Sequence, residues 1–274
     1  MSPENLPQLA LGLVLAVVVA YAAYRARSLS RSGAWAATVV GTLVFGLGGL
    51  AWAILLLTFF ISSSGLSRAF KKRKRGLNEK FSKGSQRDAG QVFGNGGLAA
   101  VFGGLSIFFP GEAWPWLAFA ASLAAVNADT WATELGVLSP RSPRMITNLT
   151  KIVEKGTSGG ISLFGTFASL AGAGLIGILA GALSPLPGSP LNGFALTLWV
   201  TFGGLAGSLA DSFLGATIQA IYFCPTCQKE TERHPEHSCG TATTLQRGLP
   251  WLDNDWVNFA CGLAGVLFAL LALL

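Results

Sequence analysis

Charge is scarce in this chain. Asp, Glu, Lys and Arg make up 12% of its 274 residues, while 51% are hydrophobic. A soluble domain carries about 25% charged residues, so this shortage excludes an ordinary water-soluble fold and points to an integral membrane protein. Cysteine is equally sparse. Four cysteines, three of them between Cys224 and Cys239, do not make a disulfide framework and are spaced more like a metal site. Both histidines, His234 and His237, fall in that same stretch, so the apolar segments are almost without soft metal ligands. The first apolar run, Leu6 to Tyr24, has no basic region before it and is long for a secretory signal, so it reads as a retained span. The basic run Lys71 to Arg75 has no interleaved aromatics, which argues against a stacking platform and a nucleic-acid partner. It reads as a topology signal lying against anionic headgroups, with recruitment of an anionic substrate as the second reading.

Apolar length, by contrast, is abundant. A helix needs about 20 apolar residues to cross a hydrocarbon core of about 30 Å. Apolar segments run at 6–24, 34–48, 50–67, 89–109, 113–137, 160–184, 191–222 and 254–274. The second and third are squeezed around Gly46 to Gly49 and read as a short hairpin or one broken helix. The 35 glycines suit closely packed membrane helices. Lys and Arg accumulate on the cytoplasmic side. Arg25, Arg27 and Arg31 follow the first span and the run Arg68 to Arg87 follows the third, so the hairpin crosses twice. Parity then puts the loops at 138–159 and 223–252 inside as well, and Arg141, Arg144, Lys151 and Lys155 agree independently. The predicted fold is all-α: a polytopic helix bundle of about eight spans forming a single membrane domain over 1–274, with a cytoplasmic Cys/His loop at 223–252.

Against this background the stretch "NADTWATELG", Asn127 to Gly136, is anomalous, because a charge at the centre of a bilayer costs at least about 2.5 kcal/mol. Asp129 and Thr133 stand at i and i+4, as do Thr130 and Glu134, which predicts one polar helix face. On the parity model five polar clusters approach the same side. They are Arg87, Asp88, Gln91 and Asn95; Asn127 to Glu134; Lys155 to Gly160; Ser208, Asp211, Ser212 and Gln219; and Asp253, Asn254, Asp255 and Asn258. A single such residue is well explained by a buried interhelical hydrogen bond. Three carboxylates together, Asp129, Asp211 and Asp255, repel one another unless a divalent cation reconciles them. Hard oxygen ligands favour Mg²⁺, which binds through one or two carboxylates plus substrate phosphates, so phosphoryl chemistry is the expectation.

Two loops add to this reading. "EKGTSGGIS", Glu154 to Ser162, sets Lys155, Thr157, Ser158, Gly159 and Gly160 ahead of a helix, where free amides and the helix dipole favour an anion. It lacks the Walker A order. A flexible turn is the plainer alternative. "CPTCQKETERHPEHSCG" offers Cys224, Cys227, His237 and Cys239 as a structural zinc site, with His234 as a substitute and a solvated loop of reduced thiols as the alternative.

The motifs "NADTWATELG", "KGTSGGIS", "GSLADSFLGA", the Cys/His segment and "NDWVN" together resemble a family of polytopic membrane proteins that contains animal transmembrane protein 19 and the plant phytyl-phosphate kinase. The likeness runs from about Ser30 to the C-terminus. It implies a lipid kinase that moves a phosphoryl group from CTP or ATP to an isoprenoid monophosphate such as phytyl phosphate. It also carries Asn127, Asp129, Thr133, Glu134, the stretch Lys155 to Ser162, Asp211, Asn254, Asp255 and Asn258 over as site residues. On this reading Asp129, Asp211 and Asp255 hold Mg²⁺ and the nucleotide phosphates, Glu134 assists, Lys155 and the Thr157 to Gly160 amides stabilise the transferring group, and Arg87, Asn95 and Arg144 contact either anion. The active site then lies at the cytoplasmic membrane face, and the scheme accommodates a homo-oligomer. The rival readings are a membrane transporter and a lipid cytidylyltransferase or phosphotransferase.

Overall fold

The computed structural model describes residues 5–70, 86–185 and 191–274, so the run Lys71 to Arg75 and residues 186–190 lie outside the described residues. Among the described residues there are eight α-helices: α1 (Asn5–Arg25), α2 (Arg31–Leu43), α3 (Leu50–Ala69), α4 (Ala89–Leu105), α5 (Trp114–Gly136), α6 (Leu163–Ala182), α7 (Gly193–Thr217) and α8 (Asn254–Leu270). Side-chain oxygens start several of them. Ser30, Ser162 and Asn192 each accept a hydrogen bond from a first-turn amide, Asp253 accepts two, and Asp88 forms a reciprocal capping box with Gln91. Each such cap is worth about 1 kcal/mol. Part of the polarity that the sequence shows at the starts of the fourth and eighth segments is therefore helix initiation: Asp88, Gln91 and Asp253 have capping duties.

Successive helices run in opposite directions. Leu9 and Ala16 of α1 lie against Gly46 and Gly41, so α1 and the second segment are antiparallel. That segment ends in a π-helical turn, Val44–Gly48, and Gly49 at φ 84° reverses the chain into α3. The 34–67 region is thus a helical hairpin, and α3 returns so that Arg68 bonds the Ala26 carbonyl and the Ser28 hydroxyl. Trp52 meets Trp116 at one end of α3, and Ser67 bonds Glu134 at the other, so α3 and α5 run parallel. Trp116 donates to the Ala180 carbonyl at 3.2 Å, Gly181 abuts Gly193, and Gly215 abuts Ser158, which completes the alternation through α6 and α7.

α5 is the axis of the bundle. Every residue from Pro115 to Ala128 is buried among α3, α4, α6, α7 and α8. Its alanines allow this close approach. A Cβ on Gly207 of α7 would stand 2.5 Å from the Ala125 Cβ and 2.6 Å from the Cys261 carbonyl, so only glycine fits there.

Among the described residues, five helical stretches are long and apolar enough to cross a membrane: Leu6–Arg25, Leu50–Ala69, Leu163–Ala182, Gly193–Thr217 and Asn254–Leu273. The α2 helix has 13 residues and α4 has 17, while α5 is long but carries the polar stretch.

The all-α expectation needs correcting. Two of the polar connections at one end of the bundle fold into three-stranded antiparallel sheets. The first sheet has the order β2-β1-β3, from β1 (Arg144–Met145), β2 (Asn148–Ile152) and β3 (Gly160–Ile161). The second has the order β5-β4-β6, from β4 (Ile221–Cys224), β5 (Lys229–Thr231) and β6 (Thr244–Arg247). Chain of this length outside a helix must pair its own backbone groups, and Thr, Ile and Tyr favour doing so as strand.

Candidate functional site

The end of the bundle that carries both sheets holds a cavity of about 550 Å³. Its walls come from six parts of the chain. α5 supplies Asp129, Thr130, Thr133 and Glu134, the face that the i, i+4 spacing predicts. Arg87, Gln91 and Asn95 come from the start of α4, Ser208, Asp211 and Ser212 from α7, and Asn254 and Asn258 from α8. The whole loop from Lys155 to Ser162 lines the cavity, and so do Gln219, Glu232 and Arg233 around the second sheet.

The two central carboxyls meet. Asp129 and Asp211 both line the cavity and lie close enough to interact, and Glu232 adds a third negative charge near Asp211. The second oxygen of Asp211, Oδ2, is buried without a hydrogen-bond partner among the described residues. Adjacent carboxylates ionise together only where a cation lies between them. The groups around them are Ser, Thr and Asn side chains, a hard-oxygen set that fits Mg²⁺ and not a soft metal.

Positive charge is supplied from two sides. Arg87 is fixed through its backbone, its N–H bonding the Ser28 carbonyl and its own carbonyl accepting from Ser30, both at 2.9 Å. Its guanidinium lies 5.3 Å from the Phe59 ring centre, within cation–π range. Burial pulls the Arg87 guanidinium down to about 10 against the attraction of Glu134, so it stays charged at neutral pH. Glu134 is itself oriented by the Ser67 hydroxyl at 2.8 Å. Arg233, beside the second sheet, also lines the cavity.

The glycine loop is shaped for close approach. Gly156 and Gly159 have φ of 78° and 83°, and a Cβ on Gly159 would stand 2.5 Å from the Ala216 Cβ on α7. Ser158 donates to Gln219 at 2.8 Å and Gln219 donates to Glu232 at 3.1 Å, so one chain of bonds joins this loop to the second sheet. Lys155 lines the cavity, but its ammonium bonds the Val137 and Ser139 carbonyls at 3.1 and 2.5 Å. It therefore clasps the loop to the C-terminal end of α5.

Three of the residues expected at the site do not line the cavity. Asn127, fully buried, donates to the Gly172 carbonyl at 2.8 Å and accepts from Ser62 at 3.0 Å, tying α5 to α6 and α3. Arg144 is exposed and donates to the Leu149 carbonyl within the first sheet. Asp255 sits in the first turn of α8 with its backbone packed against Gly94, beside the cavity-lining Asn254. Sequence reasoning missed Ser67, Glu232 and Arg233, and took Gln219 only as part of a polar cluster. The Cys/His segment drew attention as a metal loop, and nothing in its spacing says that "ETER" turns back into the bundle.

In that segment Cys224, Cys227, His237 and Cys239 bring one ligand atom each to within 4.8 Å of one another. His234 is elsewhere, stacked on Tyr222 with ring centres 4.4 Å apart. Hydrogen bonding with Thr241 and His237 pulls the Cys239 thiol down to about 6. The neighbouring Cys239, together with burial, pushes Cys227 up to about 11.

The sequence model of the family described as "Integral membrane protein DUF92" matches residues 14–266. Protein PGR of Arabidopsis thaliana is 33% identical over 276 residues, covering 93% of each chain. An uncharacterized membrane protein of Methanocaldococcus jannaschii is 34% identical over 218 residues, 79% of this chain and 85% of its own. "Protein VTE6, chloroplastic" of Arabidopsis thaliana is 27% identical over 239 residues, 84% of this chain and 61% of its own length. No solved structure matches the chain.

Proposed function

The chain belongs to the DUF92 family of integral membrane proteins, and from that membership and the cavity we propose that it is an Mg²⁺-dependent lipid kinase. It transfers a phosphoryl group from CTP or ATP to an isoprenoid monophosphate such as phytyl phosphate and yields the diphosphate. One observation carries this reading: the Asp129 and Asp211 carboxyls, the glycine loop and two arginines face a single cavity. The resemblance of the motifs to the plant phytyl-phosphate kinase supports the choice of acceptor.

In the proposed arrangement the eight helices cross the bilayer and the cavity opens at the cytoplasmic face. α5 is enclosed by its neighbours, so its polar face need not meet lipid. The apolar packing of α5 from Pro115 to Ala128 also favours an enzyme over a transporter, because the polar groups lie at one end of the bundle.

Asp129 and Asp211, with Glu232 beside them, would hold a Mg²⁺ ion, which would supply charge neutralisation for the nucleotide phosphates. An acceptor phosphate oxygen attacks the γ-phosphorus, the bond from that phosphorus to the β-bridging oxygen breaks, and the nucleoside diphosphate departs. A phosphate monoester at neutral pH needs little help from a base. The chain's own work is to place the two anions and absorb their charge. Arg87, attracted by Glu134, serves beside α3 and α4, while Arg233 and the amides of Thr157 to Gly160 serve beside the second sheet and the glycine loop. Thr133, Asn95, Asn254 and Asn258 complete the polar wall. Lys155 acts by holding the glycine loop in position.

The test is purified protein with Mg²⁺, labelled CTP or ATP, and prenyl monophosphates of several lengths. We expect a prenyl diphosphate and a nucleoside diphosphate in equal amounts, and loss of both in Asp129→Asn. Release of pyrophosphate would favour a cytidylyltransferase instead. Folded wild-type protein that forms no diphosphate from any acceptor overturns the kinase reading.

A further inference from the structure

We propose that Cys224, Cys227, His237 and Cys239 bind a structural zinc ion, and that this ion holds Glu232 and Arg233 in the wall of the cavity. The zinc site stands independently of the phosphoryl-transfer reading; only the purpose of the two positioned residues rests on it.

The ligand atoms already have the geometry. The Cys224 and Cys239 sulfurs are 3.6 Å apart, and His237 Nδ1 lies 3.3 Å from the Cys239 sulfur. Tetrahedral zinc with bonds of about 2.3 Å to sulfur sets its sulfurs about 3.7 Å apart. The Cys227 amide donates to the Cys224 sulfur at 3.5 Å, as a turn wrapped around a thiolate does. Two turns contribute. One carries Cys224 and Cys227 off the end of β4. The other carries His237 and Cys239, with the His237 amide bonded to the Thr241 carbonyl. A Thr241 to Thr226 hydrogen bond at 2.9 Å links the turns. Three sulfurs and one imidazole form a set that suits zinc and not Mg²⁺.

Such a unit needs a staple. Fewer than about 40 residues rarely form a sufficient apolar core, and a metal commonly replaces it. Among the described residues the buried contribution of this loop is small: Ile221, Tyr222, Cys224, Thr231, His237 and Thr243. The segment between the two turns runs along the bundle. Glu232 accepts from Gln219, and the Arg233 carbonyl accepts from Thr243 at 3.0 Å, just beyond the second turn. Loss of the ion would free both turns at once and release the segment that carries Glu232 and Arg233. Through Gln219 and Ser158 the loosening would reach the glycine loop.

The experiment uses the full chain purified in detergent under reducing conditions without added metal. Elemental analysis should find stoichiometric zinc, with loss to background in Cys227→Ser and retention in His234→Ala, whose ring lies outside the cluster. Because Cys227→Ser can fail to fold, cobalt replacement supplies a second reading: thiolate-to-cobalt charge-transfer absorption is expected for the wild type. Hydrogen exchange before and after chelation then tests the coupling. Faster exchange is expected at 229–233 and 157–160, with α5 unchanged. A metal-free protein with four free thiols, or a Cys224–Cys239 disulfide in place of the metal, overturns the zinc site. Zinc release that leaves 229–233 and 157–160 unchanged overturns the positioning role. None of these outcomes depends on kinase activity.

Discussion

Replacing Asp211 by Asn separates a cation site from an ordinary buried hydrogen bond, because the two readings give opposite signs. In the structure the Asp129 and Asp211 carboxyls lie close together in the cavity, Glu232 lies near enough to repel Asp211, and Asp211 Oδ2 has no hydrogen-bond partner among the described residues. Like charges about 4 Å apart at an effective dielectric of about 20 repel by about 4 kcal/mol. Asp211→Asn removes one of the two charges, so it should stabilise the metal-free protein by about 1–2 kcal/mol. The wild type should gain stability from Mg²⁺ as RT ln(1 + [Mg²⁺]/Kd), about 2.7 kcal/mol at 100 times Kd. The variant should lose most of that gain.

Catalysis should move the other way. Removing one preorganised charge-stabilising group typically costs about 10²- to 10³-fold in rate. Thermal unfolding in detergent across a Mg²⁺ titration, with Ca²⁺ as a size control, measures the first effect, and initial rates measure the second. A wild type whose unfolding temperature ignores Mg²⁺, or an Asp211→Asn protein that is less stable without metal, refutes the cation site and leaves a structural carboxyl pair.

Four further outcomes follow from the same geometry. Gly159→Ala drives a Cβ into Ala216 at a backbone φ of 83°, so thermal unfolding should show a loss of about 1–3 kcal/mol and initial rates should fall steeply. Asn127→Ala removes bonds to Ser62 and Gly172 from a fully buried site and should cost about 1–3 kcal/mol, with KM for nucleotide unchanged. Arg144→Ala, exposed and outside the cavity, should stay within about 0.5 kcal/mol of wild type and keep its kcat/KM; a tenfold loss would show that the first sheet reaches substrate. Glu134→Gln should raise KM for the anion at Arg87 more than it lowers stability, because Ser67 can still bond the amide oxygen.

The bundle was largely legible because each long helix announces itself over about 20 residues. The apolar runs at 6–24, 50–67 and 254–274 match α1, α3 and α8 to within a few residues. The Gly46 to Gly49 turn could be seen, but the choice between a hairpin and a broken helix needed contacts that link Arg68 to Ser28. The two sheets were not legible. Their strands have two to five residues, too short for a period to emerge, and β3 and β6 pair with strands about 15–20 residues away in sequence.

At the cavity, legibility stops where one residue type serves two purposes. An aspartate ahead of a helix accepts hydrogen bonds from free amides and caps it; the same aspartate one turn later can face an ion. From sequence, Asp253 and Asp255 cannot be told apart from Asp129, yet Asp253 bonds the amides of Asp255 and Trp256, and Asp255 lies outside the cavity wall. Asp129 escapes this ambiguity because it is deep in its helix, five residues before Glu134, where no amide is left uncapped. Depth within a helix, more than charge, is what separates this cavity-facing carboxylate from the capping ones. Glu232 has no such mark. Its nearness to Asp211 depends on the fold of a small sheet and on the turns that hold it, so the third carboxylate of the site is supplied by the one segment whose geometry a metal would have to set.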